Sequence, residues 1–283
     1  MAGGSWRTDR ITTNGFRQFY RDWRPDGSSL PVFALHGSLT QSGMWTVIAE
    51  TAAAIRMVCP DQRGFGLSED PGTDSCAEFA TDALMLAQAL PLDRFVVMGH
   101  SFACSIALDV AAIAAQRVAA IVLVDPVVRI GPTAPVTASN SPPDSFATVA
   151  DVARHFRDTE EGDWTDRALE RFVRDIMMRD DRTGHWRFPY SSERLRRLRT
   201  FSASPASDYD LFAKAKAAHR PVLVFRGGKS KRFPASAERP FLDAFAAKTR
   251  LVMCPDSGHF PTATEPEIVV NALKSFLREI AAK

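Results

Sequence analysis

The 283-residue chain has few cysteines and no run of apolar residues long enough to cross a membrane. A membrane-spanning helix needs about 20 such residues, and the first seven residues, Met-Ala-Gly-Gly-Ser-Trp-Arg, lack the apolar segment of a signal peptide. The four cysteines lie apart in or beside apolar runs, with no C-x-x-C pair and no metal-site spacing. We therefore expect a soluble protein of the reducing cytoplasm that uses no metal or other cofactor.

An excess of charge of either sign is also missing. The 35 Lys and Arg residues against 33 Asp and Glu residues leave a net charge of +2, which argues against nucleic acid as the main partner. Hydrophobic residues make up 45% of the chain, enough for a substantial core. We expect a small-molecule substrate and no nucleic-acid or membrane partner, and the sequence leaves a homodimer open.

Buried strands alternate with helical segments through most of the chain. Uniformly apolar runs are typical of parallel strands that helices cover on both faces. These runs occur at residues 30–35, 57–59, 95–98, 118–124, 221–225 and 251–254. Between residues 127 and 215 the alternation stops, and helical patterns replace it after a Pro/Ser/Thr-rich loop at 131–143. We predict an α/β core in two parts, 1–126 and 216–283, separated by a helical insertion at 127–215.

A serine lies where one of these strands turns into a helix. Gly99 and Ala103 stand two residues before and after Ser101, and such small residues allow a tight strand-to-helix turn with the serine at its apex. A residue in this position is strained and projects its side chain from the fold, which suits a nucleophile. The alternative is a buried serine that caps the helix. This short segment alone does not decide between the two interpretations.

Other strand ends carry residues of the same chemistry. His36 follows the strand at 30–35, Asp125 follows the strand at 118–124, and His259 lies in a loop after the strand at 251–254. Functional groups in open α/β sheets collect at the carboxyl ends of strands. With the motifs at 36–37, 61–68, 99–103 and 258–259 in this order, the chain resembles the α/β-hydrolase superfamily. The resemblance implies an α/β-hydrolase fold in which residues 127–215 form a helical cap over the pocket.

The resemblance also implies a mechanism of acyl transfer. Because a serine hydroxyl is a poor nucleophile at neutral pH, Ser101 needs a base, and His259 has the position of that base. The oxyanion formed on attack needs two donors. The family pattern implies the backbone N–H groups of Phe102 and Ser38, although Ser38 also fits a simple turn.

The acid departs from the usual pattern of the superfamily. Most members carry an Asp a few residues after the glycine that ends the penultimate strand, but the loop at 227–234 here has no carboxylate. The remaining strand-end carboxylate is Asp125, 24 residues after Ser101, and some members place the acid on that strand. We predict a Ser101–His259–Asp125 triad. The alternative is that Asp125 only caps a turn before Pro126.

Local features indicate the kind of substrate. The loop at 226–231 resembles that of the (E)-2-(acetamidomethylene)succinate hydrolases, which take their acid from the earlier strand and cleave an enamide bearing carboxylates. A cap arginine such as Arg187 is then a candidate to bind a substrate carboxylate, although the balanced charges of the insertion favour solvated helix faces. We expect His36, Trp45 and Trp186 to bind substrate as well, although the motif around His36 also indicates a packing role and each tryptophan also fits a core position.

Three functions follow from these features. We expect a serine hydrolase that cleaves an ester, lactone or amide of a small molecule through an acyl-enzyme. A second hypothesis keeps the His–Asp pair without a covalent intermediate, as in meta-cleavage C–C hydrolases and cofactor-free dioxygenases of the superfamily. A third is a receptor that binds a ligand without catalysis. The nucleophile, base and oxyanion loop argue against the third.

Overall fold

A computed structural model describes residues 4–25, 30–38, 40–128, 143–203, 210–245 and 247–282 of the chain. Its centre is an eight-stranded sheet in the order β1-β2-β4-β3-β5-β6-β9-β10. These strands are β1 (Ser5–Thr13), β2 (Phe16–Arg24), β3 (Val32–Leu35), β4 (Met57–Pro60), β5 (Phe95–His100), β6 (Val118–Val124), β9 (Val222–Gly227) and β10 (Thr249–Cys254). Two short strands, β7 (Met178–Arg179) and β8 (Trp186–Arg187), form a separate pair.

The sheet is mostly parallel, which confirms the predicted α/β fold. β1 and β2 form an antiparallel hairpin around Asn14 and Gly15, whose φ angles of 49° and 80° suit a tight hairpin turn. β2 also pairs antiparallel with β4, and the remaining neighbours in the sheet are parallel. Parallel strands end at the same edge, so the loops after β3, β5, β6, β9 and β10 lie close together.

Helices cover both faces of the sheet, so β5 and β6 are buried along their whole length. The helices are α1 (Thr46–Ala52), α2 (Cys76–Ala89), α3 (Ala103–Ile113), α4 (Val149–Thr159), α5 (Asp166–Ile176), α6 (Ser192–Ala203), α7 (Leu211–Ala217), α8 (Ala235–Asp243), α9 (Pro261–Thr264) and α10 (Pro266–Ala281). Side chains of α1 and α10 pack in one core, and those of α2, α3, α7 and α8 pack in the other.

The segment between β6 and β9 contains α4, α5, the β7–β8 pair, α6 and α7. α5 buries Leu169, Phe172 and Val173 on one stripe and leaves charged residues outside, so it is an amphipathic helix packed on the rest of the molecule. α7, which the sequence did not predict, lies against α3, where Lys214 Nζ donates to Asp109 at 2.6 Å. The domain boundaries at 127 and 215 stay a prediction.

Two further predictions concern the Pro/Ser/Thr-rich loop and the absence of membrane-spanning helices. Most of the predicted Pro/Ser/Thr-rich loop, residues 131–142, lies outside the described residues. In the ranges that the structure covers, no helix combines the length and apolar character needed to cross a membrane.

Candidate active site

Ser101 occupies the apex of a tight turn between β5 and α3. Its φ of 58° lies in the left-handed region, which is unfavourable for a residue with a side chain. The turn is so close that a Cβ atom at Gly99 would clash with the backbone of Ala103 and lie 2.9 Å from the nitrogen of Cys104. The Ser101 N–H donates to the carbonyl of Val124 at 2.9 Å, which ties the turn to the end of β6. The strained backbone is thus fixed by its neighbours.

The structure brings Ser101, His259 and Asp125 into one chain of hydrogen bonds. His259 Nε2 lies 2.8 Å from Ser101 Oγ, and His259 Nδ1 lies 2.7 Å from Asp125 Oδ2. All three side chains are buried, with Asp125 completely enclosed. Asp125 also has a positive φ, 43°, at the end of β6. These distances are those expected of a nucleophile, a base and the group that orients the base.

Ser230 and Gly227, from the loop after β9, complete the surroundings of Asp125. The Ser230 hydroxyl donates to Asp125 Oδ2 at 2.6 Å, and the Gly227 N–H donates to Oδ1 at 3.0 Å. Ser230 Oγ itself accepts the N–H groups of Arg232 and Phe233, both at 3.2 Å, so its proton points to the carboxylate. Sequence reasoning missed Ser230, and its only signal was its place in the loop where most relatives carry the acid.

Burial and neighbouring groups set the protonation states of Asp125 and His259. Burial raises the pKa of Asp125 to about 6, and the donors Ser230 and Gly227 oppose that shift. Burial also lowers the pKa of His259 well below its usual range, and the positive charge of Arg232 adds to the effect. At neutral pH His259 is therefore a neutral imidazole. It can accept a proton from Ser101 while Asp125 accepts its Nδ1–H.

Two other buried histidines hold the surrounding loops. His36 Nε2 accepts the Gln62 N–H at 2.9 Å, so its Nδ1–H donates to the Gly37 carbonyl at 2.8 Å. His100 Nε2 donates to the carbonyl of His259 at 2.7 Å. Burial lowers the pKa of both histidines to about 3, so both are neutral. The backbone occupies both ring nitrogens of His36, which favours a packing role, and its substrate-binding role stays a prediction.

The predicted oxyanion loop lies directly against the serine turn. A Cβ atom at Gly37 would be 2.5 Å from His100 Nδ1 and 3.2 Å from Ser101 Cβ, so only glycine fits there. Among the described residues, the backbone N–H groups of Ser38 and Phe102 have no hydrogen-bond partner. Both donors are therefore available beside Ser101, as stabilisation of an oxyanion requires.

The other predicted substrate-binding residues lie in three different settings. Trp45 is completely buried in the core with α1 and α10. Trp186 is half-buried and pairs through its backbone with Phe146. Arg187, next to it on β8, is exposed. Burial of Trp45 and exposure of Arg187 do not favour contact with a ligand, and their substrate-binding roles stay predictions.

No metal site accompanies these residues. Across the described ranges, no group of His, Cys, Asp and Glu side chains is arranged to hold a metal ion.

A family model described as the alpha/beta hydrolase fold matches residues 31–266, which is most of the chain. The chain belongs to the α/β-hydrolase fold family. A crystal structure of an α/β hydrolase from Novosphingobium aromaticivorans is similar with a TM-score of 0.75 at 23% identity, covering 98% of this chain and 99% of that one. The structure of E-2-(acetamidomethylene)succinate hydrolase gives 0.71 at 19%, covering 97% and 100%. At these identities the likeness shows the fold alone.

Curated relatives match over shorter stretches. N-formylmaleamate deformylase of Pseudomonas putida is 33% identical over 132 residues, which cover 44% of this chain and 46% of that protein. The 2-hydroxymuconate semialdehyde hydrolase of Pseudomonas sp. strain CF600 is 33% identical over 106 residues, covering 34% and 36%. The chain thus spans less than half the length of these two relatives.

In this α/β-hydrolase-fold chain, aromatic rings connect the segment between β6 and β9 to the loop that carries His259. Phe260 directly follows His259, and the two rings lie 5.2 Å apart. Phe260 also contacts Phe156 of α4, Trp164, and Phe172 of α5, at centroid distances of 6.2, 6.1 and 4.8 Å. The part of this segment that packs on Phe260 is therefore aromatic.

A buried arginine on α6 was missed by the sequence reasoning. The Arg194 side chain has no exposed surface, and its Nη1 pairs with Asp74. Its Nε and Nη2 have no hydrogen-bond partner within the described part of the chain. Arg63, in contrast, is equally enclosed but fully paired, with Nε and Nη2 on Asp82 at 2.6 and 2.9 Å and Nη1 on Glu78 at 2.9 Å. Nothing in the arginine-rich insertion distinguishes Arg194 by sequence.

Proposed function

We propose that this chain is a serine hydrolase that cleaves an ester, lactone or amide bond of a small molecule through an acyl-enzyme. The observation that carries the proposal is the continuous hydrogen-bond path from Ser101 Oγ through His259 to Asp125. Unpaired N–H groups at Ser38 and Phe102 support it, because they lie on adjoining loops beside the serine. A receptor would need the pocket but not this set of donors and acceptors.

The proposed reaction has two halves. Ser101 Oγ attacks the substrate carbonyl while His259 Nε2 takes its proton, and the N–H groups of Ser38 and Phe102 stabilise the oxyanion. The C–O or C–N bond then breaks, and His259 returns the proton to the leaving alcohol or amine. Water attacks the acyl-enzyme by the same route and releases the acid and free Ser101. Asp125 holds the Nδ1–H of His259 throughout and stabilises the imidazolium.

The names of similar proteins are consistent with this class of reaction. One partial relative is a deformylase and another a semialdehyde hydrolase, and a structural neighbour is a hydrolase of an acetamido-substituted succinate. The semialdehyde hydrolase favours a second candidate function, hydrolysis of a carbon–carbon bond by the same residues. We place ester, lactone or amide cleavage first because the serine and its base are already in hydrogen-bond contact.

A covalent probe tests the proposal directly. A neutral fluorophosphonate should add to Ser101 of the wild-type protein, and intact-mass and peptide analysis should locate the adduct there. Ser101→Ala should show no adduct while keeping the wild-type unfolding temperature. If the wild-type protein forms no adduct and hydrolyses no p-nitrophenyl ester, the serine hydrolase proposal fails. Cleavage of a meta-ring-fission product without an adduct would support the second candidate, and oxygen uptake during turnover would indicate a dioxygenase.

We further propose that the substrate carries a carboxylate and that Arg194 binds it. The unpaired Nε and Nη2 lie on the same side of the guanidinium, an arrangement that suits the two oxygens of a carboxylate. The guanidinium lies 4.9 Å from the ring of Phe65 and 5.4 Å from that of Phe79. Phe79 contacts Phe102, which directly follows Ser101, at 5.2 Å. Because the rings enclose the guanidinium, binding requires a shift of α6.

Matched esters test this substrate class. Arg194→Gln should reduce kcat/KM for mono-p-nitrophenyl succinate about ten- to a hundredfold and change that for neutral p-nitrophenyl butyrate less than about threefold. Arg187→Gln, at an exposed arginine of the same segment, is the control and should change neither. Equal losses on both esters would count against a carboxylate contact.

A further inference from the structure

The loop after β9 carries positive charges where most relatives carry the acid, and these charges meet an acidic linker. The linker, residues 160–163, follows α4 and lies between α4 and α5. Lys229 Nζ lies 2.6 Å from Asp163, and Arg232 Nη1 lies 2.9 Å from Glu160 and 3.2 Å from Glu161. The loop after β9 therefore has cations in place of the missing carboxylate, and two of them, Lys229 and Arg232, pair with the linker.

The same linker also lies directly on the loop that carries His259. Gly162 forms a β-bridge with Ser257, and the Asp163 N–H donates to the Asp256 carbonyl at 2.8 Å. A Cβ atom at Gly258 would clash with the backbone of Glu161, so the two loops touch through glycine. The linker, the Arg232 loop and the His259 loop therefore form one packed unit beside the triad.

Arg232 and Glu160 form the most enclosed ion pair of this unit. Glu160 is only 8% exposed, and both of its oxygens face Arg232, with Nη2 at 3.0 Å from Oε1 and Nη1 at 2.9 Å from Oε2. Nη2 donates a hydrogen bond to Oε1, whereas Nη1 and Oε2 are in ion-pair contact without one, so one hydrogen bond and charge attraction hold the pair. The Arg232 N–H donates to Ser230 Oγ, and the Ser230 hydroxyl donates to Asp125. The Ser230 side chain thus links the backbone N–H of Arg232 to Asp125.

We propose that Arg232 is a positioning residue of the triad, whose guanidinium, held by Glu160, fixes the Ser230 loop and supplies positive charge beside Asp125 and His259. This inference rests on the proposed hydrolase function. The charge of Arg232 lowers the pKa of both Asp125 and His259, which favours the carboxylate and the neutral imidazole. Glu160 carries the opposite charge and is the partner through which the linker between α4 and α5 acts on the triad.

The charged and titratable groups around His259 come from each neighbouring loop. Asp125 accepts its Nδ1–H, and His100, whose pKa lies near 3, is neutral. Arg232 lies on the loop after β9, and Glu160 and Glu161 lie on the linker. Lys231 has an 83% exposed side chain, so water screens its charge.

The pH profile of kcat/KM for p-nitrophenyl butyrate tests this role. Arg232→Gln removes a positive charge near His259, so the acid-side inflection should move to higher pH, by about 0.5 to 1 unit. Glu160→Gln removes the negative charge and leaves Arg232, so the inflection should move to lower pH. The double variant should return toward the wild-type inflection. Lys231→Gln is the matched control at an exposed cation and should leave it unmoved.

A purely structural role for Arg232 predicts a different result. A structural role would lower kcat and the unfolding temperature in both single variants. The inflection of the pH profile would then stay in place, or it would move in the same direction in both variants. Either result overturns the proposal. The titration of the His259 ring, followed by NMR and assigned with His259→Asn, needs no turnover. Opposite shifts of that titration in Arg232→Gln and Glu160→Gln would uphold the inference even if no ester is hydrolysed, which separates it from the proposed function.

Discussion

β6 and β9 are neighbours in the sheet, yet the loops that follow them contribute to the site in different ways. The loop after β6 supplies the carboxylate itself, Asp125, from a backbone with positive φ. The loop after β9 supplies no carboxylate, but its Ser230 hydroxyl and Gly227 N–H both donate to Asp125. Both loops thus meet at the Asp125 carboxylate beside His259, one supplying the carboxylate and the other its hydrogen-bond donors.

Removing the carboxylate after β6 should have the largest effect. Asp125→Asn keeps the size of the side chain, but its amide N–H favours the His259 tautomer with the proton on Nε2, which cannot accept from Ser101. We expect kcat/KM for p-nitrophenyl butyrate to fall about 10³- to 10⁴-fold with the fold intact. Steady-state kinetics and thermal unfolding of the variant check this. Activity near the wild-type value would mean that the acid lies elsewhere.

A second variant tests whether the two loops are interchangeable. Ser230 Oγ lies 2.6 Å from the carboxylate oxygen that meets His259. In the Asp125→Asn background, Ser230→Asp places a carboxylate on the loop that carries the acid in most relatives. We expect at least about tenfold recovery of kcat/KM, since a carboxylate again accepts from Nδ1. Ser230→Asn in the same background is the control and should recover nothing.

The sequence predicts some of the residues at these strand ends more directly than others. Ser101 has a local signal, because the small residues around it are needed for the turn, and His259 follows from its place after a strand. Asp125 was reached by elimination, since the loop after β9 has no carboxylate. Ser230 was not predictable, because a serine in a loop has many uses and only the folded chain shows its proton pointing to Asp125.

Residues between β6 and β9 were less predictable for a physical reason. Twelve arginines and 11 acidic residues lie between Asp151 and Arg199, and composition does not tell which of them face inward. Arg187 was expected inside and lies outside, whereas Arg194 is enclosed by Phe65 and Phe79. The burial of one arginine among many depends on tertiary packing, which no local pattern encodes.

Removing the Ser230 hydroxyl, which donates to Asp125, should have a smaller effect than replacing Asp125 itself. Ser230→Ala takes away one donor to Asp125, so the pKa of that carboxyl should rise further above its value of about 6. We expect kcat/KM to fall about tenfold at pH 7, with a larger loss at lower pH, because more Asp125 is then protonated. Ser230→Thr keeps the hydroxyl and should restore both the rate and the pH profile. A uniform loss across pH would indicate packing alone.

The exposed cation of the loop after β9 should matter least, although it stands next to Ser230. The Lys231 side chain is 83% exposed, and its ammonium lies 3.9 Å from Glu161, so water and salt screen its charge. It donates to neither Asp125 nor Ser230. Lys231→Ala should therefore change kcat/KM less than about twofold and leave the pH profile in place. If Lys231→Ala lost as much activity as Ser101→Ala, the loop after β9 would take part in the chemistry. The interpretation of this loop as a support for Asp125 would then be wrong.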